Sequence, residues 1–220
     1  MKCNYCNTEI EGSYYEDSWG HVIHPEHIKS STRCGSCLNI VMPNSSPRPK
    51  VLLDGRVICG NCLSEAILEE WQMMKCFQAV YEFYKMGHIH FSENKINYEL
   101  VEATSLPSDA FGQVLFIDGS YLIKILRGLN KTICCGIISH ELMHVHLKEL
   151  GIELSLQEEE GICEIANYCA LKMVGTKHAQ SRIKSMEDNE DVIYGVGFRL
   201  MKERVKRYGS IQKYLQTLKC

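Results

Sequence analysis

Four closely spaced ligand pairs in the first 65 residues constrain the fold of this 220-residue chain more than any other feature. They follow the order C-x-x-C, H-x-x-H, C-x-x-C and C-x-x-C, and two such pairs supply the four thiolate or imidazole ligands that a tetrahedral zinc ion prefers. We therefore expect two structural zinc ions in a module at residues 1–65, whose small core depends on metal for its folding free energy. The predicted ligands are Cys3, Cys6, His24 and His27 at one site and Cys34, Cys37, Cys59 and Cys62 at the other.

The order of these pairs resembles a LIM domain, and the resemblance implies a module that binds a partner or a substrate. Residues 38–58 separate the two pairs of the all-cysteine set, and "PKVLLDGRVICGNC" predicts a strand, an Asp-Gly turn and a second strand. The first set is less well defined, because His21 could replace His24 or His27. Two departures from a LIM domain are the long spacer between the fingers, residues 28–33, and a histidine in place of the commoner cysteine as the fourth ligand.

Composition and charge exclude several classes of function. A formal net charge of −3 gives no basis for nucleic-acid binding, and we interpret the short basic run at 202–213 as a solvated helix face. We find neither a signal peptide nor the roughly 18 to 20 consecutive apolar residues of a membrane span, so we expect a cytoplasmic protein without membrane contact. In that compartment, twelve cysteines favour metal ligation over disulfides. The six outside the pairs are expected as free, mostly buried thiols: Cys76, Cys134, Cys135, Cys163, Cys169 and Cys220.

After the zinc module the pattern changes to one helix followed by strands. Helical spacing of apolar residues at 63–87 predicts a helix that starts at the last zinc knuckle and joins the two parts rigidly. Segments 95–103, 113–118 and 121–129 predict strands, so the fold class is α+β with a short sheet. We place residues 121–127 at the sheet edge beside the next helix, where they could pair with an extended substrate; an ordinary sheet strand is the alternative.

The segment "SHELMHVHLKELG" (139–151) contains an H-E-x-x-H motif on a predicted helix that ends at Gly151. His140 and His144 are four residues apart, so their imidazoles lie about 40° apart on one face and can reach one ion at about 2.0 to 2.1 Å. Glu141 lies about 100° round the helix from His140, beside the metal, where it can take a proton from a bound water. His146 lies on another face and is not expected to be a ligand.

A second helix at 155–174 follows, with Ser155 as its N-cap and Glu158 completing a capping box. Glu160 begins the buried face of this helix and can complete the metal site with the two histidines. Glu159 is a rival for that role. Glu164, one turn further on, is a candidate to hydrogen-bond a histidine ring nitrogen.

Three separated motifs resemble the plant LIM-domain growth-regulating peptidases of the DA-one family: "DGRVICGNCLSEAI", the stretch from "SHELMH" to "EEGIC", and "DVIYGVGFR" (191–199). The resemblance implies a gluzincin-like zinc metallopeptidase domain at residues 66–220. It also implies His140, His144 and Glu160 as ligands of one catalytic zinc, and Glu141 as the base. In the plant proteins, ubiquitination enhances activity.

Tyr194 and Arg199 are further candidates, because either could donate a hydrogen bond to the oxyanion that forms as water attacks a peptide carbonyl. A helix-packing turn with a structural arginine is the alternative for this segment. The sequence thus predicts a zinc-dependent endopeptidase that cleaves protein substrates with one catalytic and two structural zinc ions. The alternative function is a zinc-stabilised protein-interaction adaptor with an inactive or latent peptidase fold.

Overall fold

The computed structural model describes residues 1–219, so the predicted free thiol at Cys220 lies outside the described residues. Elements are short in the cysteine-rich N-terminal part: β1 (Tyr15–Glu16), β2 (Val22–Ile23), α1 (His27–Ser30), β3 (Lys50–Val51), β4 (Val57–Ile58) and α2 (Gly60–Leu63). Longer elements follow: α3 (Glu70–Met86), β5 (Ile96–Val101), β6 (Gly112–Ile117), β7 (Ser120–Leu126), α4 (Lys131–Leu150), α5 (Leu156–Val174), α6 (Lys177–Glu187), α7 (Gly197–Tyr208) and α8 (Ile211–Thr217). The chain is therefore α+β, as predicted.

The N-terminal part contains two small antiparallel hairpins, β1–β2 and β3–β4, and each leads into one ligand pair: His24 follows β2 and Cys59 follows β4. The second hairpin confirms the predicted Asp-Gly turn: the backbone N–H of Leu52 donates to Arg56, and Gly55 adopts a left-handed φ of 84°. Glycine is suited to such a turn because it has no Cβ to clash with the following carbonyl. The hairpin leads directly into α2, which carries the last ligand, Cys62.

The predicted helix at 63–87 starts later than expected. In the structure α3 begins at Glu70, where Glu69 and Gln72 form a capping box. The preceding residues are extended, because Ile67 exchanges backbone hydrogen bonds with Leu129 (2.8 Å) and Gly128 (2.7 Å). The connection between the two parts is therefore an extended segment and not a continuous rigid helix. Helical spacing in the sequence cannot reveal this pairing with a distant segment.

The main sheet has the order β5–β7–β6, with β5 and β7 parallel and β6 and β7 antiparallel. All three predicted strands are present, but the placement of residues 121–127 at the edge is wrong. Because β7 pairs on both sides, its backbone groups are already used. The strand at the free edge beside α4 is β6, where a Cβ added to Gly112 would lie 2.6 Å from Ile137 of that helix.

The helix α4 lies in the middle of the apolar core, with nearly every position from Thr132 to Leu147 buried. Its N-cap is Asn130, whose side chain accepts from the Thr132 N–H, and it ends at left-handed Gly151 as predicted. Along its length α4 packs against α5, whose predicted capping box between Ser155 and Glu158 is confirmed. Within residues 1–219, none of the helices combines the length and apolar character that a bilayer crossing needs.

Candidate metal centre and its cavity

Helices α4 and α5 bring three side chains to one point. Nε2 of His140 lies 3.3 Å from Nε2 of His144, and Oε2 of Glu160 lies 3.2 Å from the first nitrogen and 3.7 Å from the second. Ligands at about 2.1 Å from a tetrahedral zinc ion are about 3.4 Å apart, so these spacings fit one ion. Among the described residues, the buried Oε2 of Glu160 has no hydrogen-bond partner. A cation between the three groups would satisfy that oxygen.

Close backbone packing places Glu160 at the centre. A Cβ at the next residue, Gly161, would lie 2.5 Å from the carbonyl oxygen of Gly197, and one at Gly197 would lie 2.4 Å from that of Gln157. The two glycines therefore let α5 and α7 touch directly beside the ligand. This close approach positions the start of α5.

Two further carboxylates orient the imidazoles from behind. Glu159 Oε1 lies 2.9 Å from Nδ1 of His144, and Glu164 Oε1 lies 3.1 Å from Nδ1 of His140. These are the ring nitrogens that point away from the centre. Glu164 lies beside the ring nitrogen as predicted, but at ion-pair distance, because Nδ1 of His140 has no hydrogen-bond partner among the described residues. Glu159, considered as a rival ligand, takes an outer position as well, because its oxygen meets Nδ1 and not Nε2. Such outer contacts fix the ring orientation of a ligating histidine and raise its basicity.

The electrostatics of the cluster favour a positive charge at its centre. Burial opposes charge on both imidazoles, but Glu160 and Glu164 raise the pKa of His140, and Cys163, Glu159 and Glu160 raise that of His144. Burial likewise opposes charge on Glu160, yet the two imidazoles lower its pKa to about 2. A divalent cation can supply the same positive charge, so the donor set suits a metal ion chemically as well as geometrically.

Cys163 is a neighbour of the centre that the sequence analysis treated only as a buried thiol. His140, His144 and Cys163 form one of the three groups in the described residues that could hold a metal ion. We prefer Glu160 as the third ligand, because its oxygen faces both Nε2 atoms, whereas burial raises the pKa of Cys163 and so disfavours its thiolate. Its spacing of three residues from Glu160 on one helix could have revealed this position.

Glu141 lies next to the centre and against the edge strand. Its side chain is buried, and a Cβ added to Gly112 of β6 would lie 2.9 Å from its Oε1, so the strand passes directly over the carboxylate. Burial raises the pKa of Glu141, an effect that the nearby imidazoles oppose. A carboxylate with a raised pKa is well suited to accept a proton and later release it.

A cavity of about 860 Å³ opens over these groups. The residues of the candidate centre form its floor. Residues from α4, from the loop before β6 and β6 itself, from α6, from the turn after α6 and from the segment after Cys37 line the rest: Leu38, Pro107, Phe111, Gly112, Gln113, Val114, Phe116, Ile137, Arg182, Met186, Asp191 and Tyr194. The free edge of β6 runs along the cavity, where Gly112, Gln113 and Val114 form part of the lining.

Tyr194 and Arg199, both predicted as oxyanion donors, lie in different surroundings. Tyr194 belongs to a π-helical turn, Val192–Val196, and lines the cavity. Burial and the nearby carboxylate of Glu160 raise its pKa, so the phenol keeps its proton and can donate. Arg199 does not line the cavity; its guanidinium donates to the carbonyls of Glu187 (3.2 Å) and Asn189 (2.7 Å). The structure therefore assigns Arg199 to holding a loop, and the predicted catalytic role is not supported by its position.

His146 is buried on the opposite face of α4, with its ring 5.7 Å from that of Phe91, and burial lowers its pKa. It lies outside the centre, as expected.

The first N-terminal cluster brings together Cys3, Cys6, His24 and His27. Nε2 of His24 donates to the carbonyl of Glu9 at 3.1 Å, which leaves Nδ1 facing Cys6 Sγ at 3.4 Å. Hydrogen bonds from Thr8 lower the pKa of Cys6 to about 5, which favours the thiolate that zinc binds. His21 is not part of the cluster, because its Nδ1 pairs with Asp17 Oδ2 at 2.8 Å.

The second N-terminal cluster brings together Cys34, Cys37, Cys59 and Cys62. Sγ of Cys37 lies 3.8 Å from Sγ of Cys59, which matches the spacing of about 3.8 Å between thiolates around a tetrahedral zinc ion. Backbone N–H groups of Ser36 and Cys59 donate to Cys34 Sγ at 3.4 and 3.3 Å. Such donors stabilise a thiolate, so this cluster also suits zinc.

Comparison of the amino-acid sequence with curated proteins finds several similar chains. The chain is 23% identical to Protein DA1 of Arabidopsis thaliana over 99% of its own length, and 24% identical to LIM domain-containing protein HDR3 of Oryza sativa subsp. japonica over 70%. The chain is thus similar, at low sequence identity, to the DA1 proteins. No family model matches it, and no solved structure does. The alignments span 55% of Protein DA1 and 39% of HDR3, so the chain corresponds to about half of these curated relatives or less.

The DA1-like chain also has site residues that the sequence patterns did not reveal. The cavity is also lined by Gly112 of β6, by Arg182 and Met186 of α6, and by Leu38, which follows the second C-x-x-C pair, Cys34–Cys37. None of them belongs to a recognisable motif. Each is brought to the cavity by packing between segments far apart in the chain, which a local sequence pattern does not show.

Proposed function

We propose that this DA1-like chain is a zinc-dependent endopeptidase of the gluzincin type, with its LIM-like module at residues 1–65 and its peptidase domain at 66–220. The observation that carries the proposal is the convergence of His140 Nε2, His144 Nε2 and Glu160 Oε2 beside the buried carboxylate of Glu141. The three ligand groups suit one catalytic zinc, and the two N-terminal clusters suit two structural zinc ions.

Zinc, when bound by these three ligands, supplies a Lewis acid that makes water more acidic and polarises a carbonyl group. Glu141 accepts the proton from the attacking water and delivers it to the leaving amine nitrogen. Tyr194 keeps its proton and donates a hydrogen bond from its phenol to the oxygen of the tetrahedral intermediate. Glu159 and Glu164 keep the two imidazoles in the orientation that ligation needs, through contacts of 2.9 and 3.1 Å.

The cavity suits an extended protein segment as substrate. Strand β6 pairs with β7 on one side only, so a substrate strand can add to its other side by backbone hydrogen bonds. Aromatic and aliphatic side chains of this strand and its flanks, including Phe111 and Val114, line the same cavity and can hold substrate side chains. Backbone pairing of this kind selects an unfolded or loop segment over a folded surface.

The setting that fits this activity is the cytoplasm. None of the described cysteines forms a disulfide, and a reducing compartment keeps thiols available for zinc. Protein or peptide substrates are the expected partners, and the LIM-like module offers a second surface for a protein partner.

The decisive experiment compares Glu141→Gln with Glu203→Gln, an exposed glutamate on α7 that serves as the matched control. Both variants should retain about three zinc ions per chain by metal analysis. Cleavage of unfolded casein by Glu141→Gln should fall at least about 10²-fold, while Glu203→Gln should match the parent. An adaptor with an inactive peptidase fold would give no zinc-dependent cleavage in any of the three proteins.

A further inference from the structure

In two of the three C-x-x-C pairs, Cys3–Cys6 and Cys34–Cys37, the residue after the second cysteine adopts a left-handed conformation. Asn7 follows the first knuckle with φ 64°, and Leu38 follows the second with φ 63°. Both close the same turn, with their N–H groups donating to Cys3 (2.9 Å) and Cys34 (3.0 Å) respectively. Asparagine tolerates this conformation well, whereas leucine adopts it rarely. The first finger thus has the residue that the turn favours, and the second does not.

The Leu38 side chain gains little from the core in return. It is 48% exposed, so about half of its surface is not covered by the rest of the protein. Instead it lines the cavity above the metal centre, where Phe111, Val114 and Met186 also present apolar groups. An exposed apolar side chain on an unfavourable backbone is a signal of function and not of stability.

The position of Leu38 is fixed from two directions. On one side, Ser36 in the same knuckle accepts a hydrogen bond from the Asn130 N–H (2.8 Å) at the start of α4. On the other, Asn39 donates to Ser18 Oγ (2.7 Å), which lies 2.6 Å from Ser181 Oγ on α6. The knuckle therefore holds Leu38 rigidly between the helix that carries the histidines and the helix that lines the cavity with Met186.

We propose that Leu38 is a specificity-determining residue that contacts an apolar side chain of the bound substrate segment, so that the second zinc finger forms one wall of the substrate groove. The proposal rests on the proposed peptidase function and deepens it. The zinc module then takes part in choosing which segment is cleaved.

The test uses the full chain with Glu141→Gln, so that substrate stays intact, and fluorescently labelled unfolded casein as the probe. Leu38→Asn places at this position the residue type that occupies the equivalent position, Asn7, after the first C-x-x-C pair. Leu53→Asn is the control, because Leu53 is 99% exposed in the β3–β4 turn and lies outside the cavity lining. Leu38→Met keeps an apolar side chain and serves as the rescue variant.

We expect Leu38→Asn to weaken casein binding about tenfold, as for loss of one buried apolar side-chain contact. Its Tm should equal or exceed that of the parent, because asparagine relieves the unfavourable backbone. Leu53→Asn should bind like the parent, and Leu38→Met should restore most of the affinity. With Glu141 intact, the casein fragments from Leu38→Asn should lose a preference for an apolar residue at one position near the cleaved bond.

Equal binding by Leu38→Asn and Leu53→Asn, with cleavage by the parent intact, would overturn this inference and leave the peptidase function standing. A lower Tm for Leu38→Asn without rescue by Leu38→Met would also overturn it, since Leu38 would then be structural. Absence of casein binding and cleavage in the zinc-loaded parent would instead reject the peptidase function, and this inference with it.

Discussion

Ser36, inside a zinc knuckle, accepts a hydrogen bond of 2.8 Å from the backbone N–H of Asn130, the N-cap of the helix that carries His140 and His144. Both groups are buried. The start of this helix is thus attached directly to the segment between Cys34 and Cys37, so the cysteine-rich N-terminal part supports the candidate metal centre.

Ser36→Ala should destabilise the whole protein. The substitution leaves the buried N–H of Asn130 without an acceptor, which costs about 1 to 3 kcal/mol in free energy of unfolding. Urea denaturation of the zinc-loaded protein measures the change, with Ser13→Ala as control because Ser13 is exposed. An unchanged denaturation midpoint for Ser36→Ala would show that the two parts are energetically independent.

Glu160→Ala and Glu159→Ala should separate a ligand from its support. Loss of Glu160 removes an oxygen that faces both Nε2 atoms, so metal analysis after dialysis should show one zinc ion fewer per chain. Loss of Glu159 removes only the contact with Nδ1 of His144, so the ion should remain but bind about 10 to 100-fold more weakly. Competition with a chelator measures the affinity. The reverse pattern would make Glu159 the ligand.

Tyr194→Phe and Arg199→Gln should affect different properties. Removing the phenolic donor should lower kcat about 10²- to 10³-fold with little change in KM. Removing the guanidinium breaks the bonds to Glu187 and Asn189, so Arg199→Gln should lower stability by about 1 kcal/mol and leave kcat per folded molecule unchanged. Casein cleavage kinetics together with thermal denaturation distinguish the two. A large fall in kcat for Arg199→Gln would restore it as a catalytic candidate.

His21 should make the stability of the N-terminal part depend on pH. Its hydrogen bond with Asp17 raises the pKa of His21 above 6.5, despite partial burial. The stabilisation is fully present below the unfolded pKa of about 6.5 and is lost as the pH rises through the higher folded value. His21→Gln should therefore cost about 1 kcal/mol near pH 6 and progressively less toward pH 9. His90→Gln, at an exposed position, is the control; a deficit independent of pH would contradict the prediction.

Local sequence patterns predicted the parts of the fold that depend on neighbours in the chain. Gly151 marked the end of α4, and Ser155 with Glu158 marked the start of α5, because capping satisfies backbone groups within one turn. The four-residue spacing of His140 and His144 defined one half of the candidate centre for the same reason. The pairing of Ile67 with Gly128 and Leu129 was missed, since backbone hydrogen bonds between distant segments leave no periodic pattern of apolar residues in the sequence.

By itself, the sequence determined most of the candidate metal ligands, where α4 ends and α5 begins, and that the chain is α+β. Only the tertiary structure decided that β6 and not β7 has the free edge, that Arg199 holds a loop, and that Leu38 reaches the cavity. The physical reason is that periodicity shows which face of an element is buried, but not which other element covers it. That choice depends on packing and strand pairing between residues far apart in the chain.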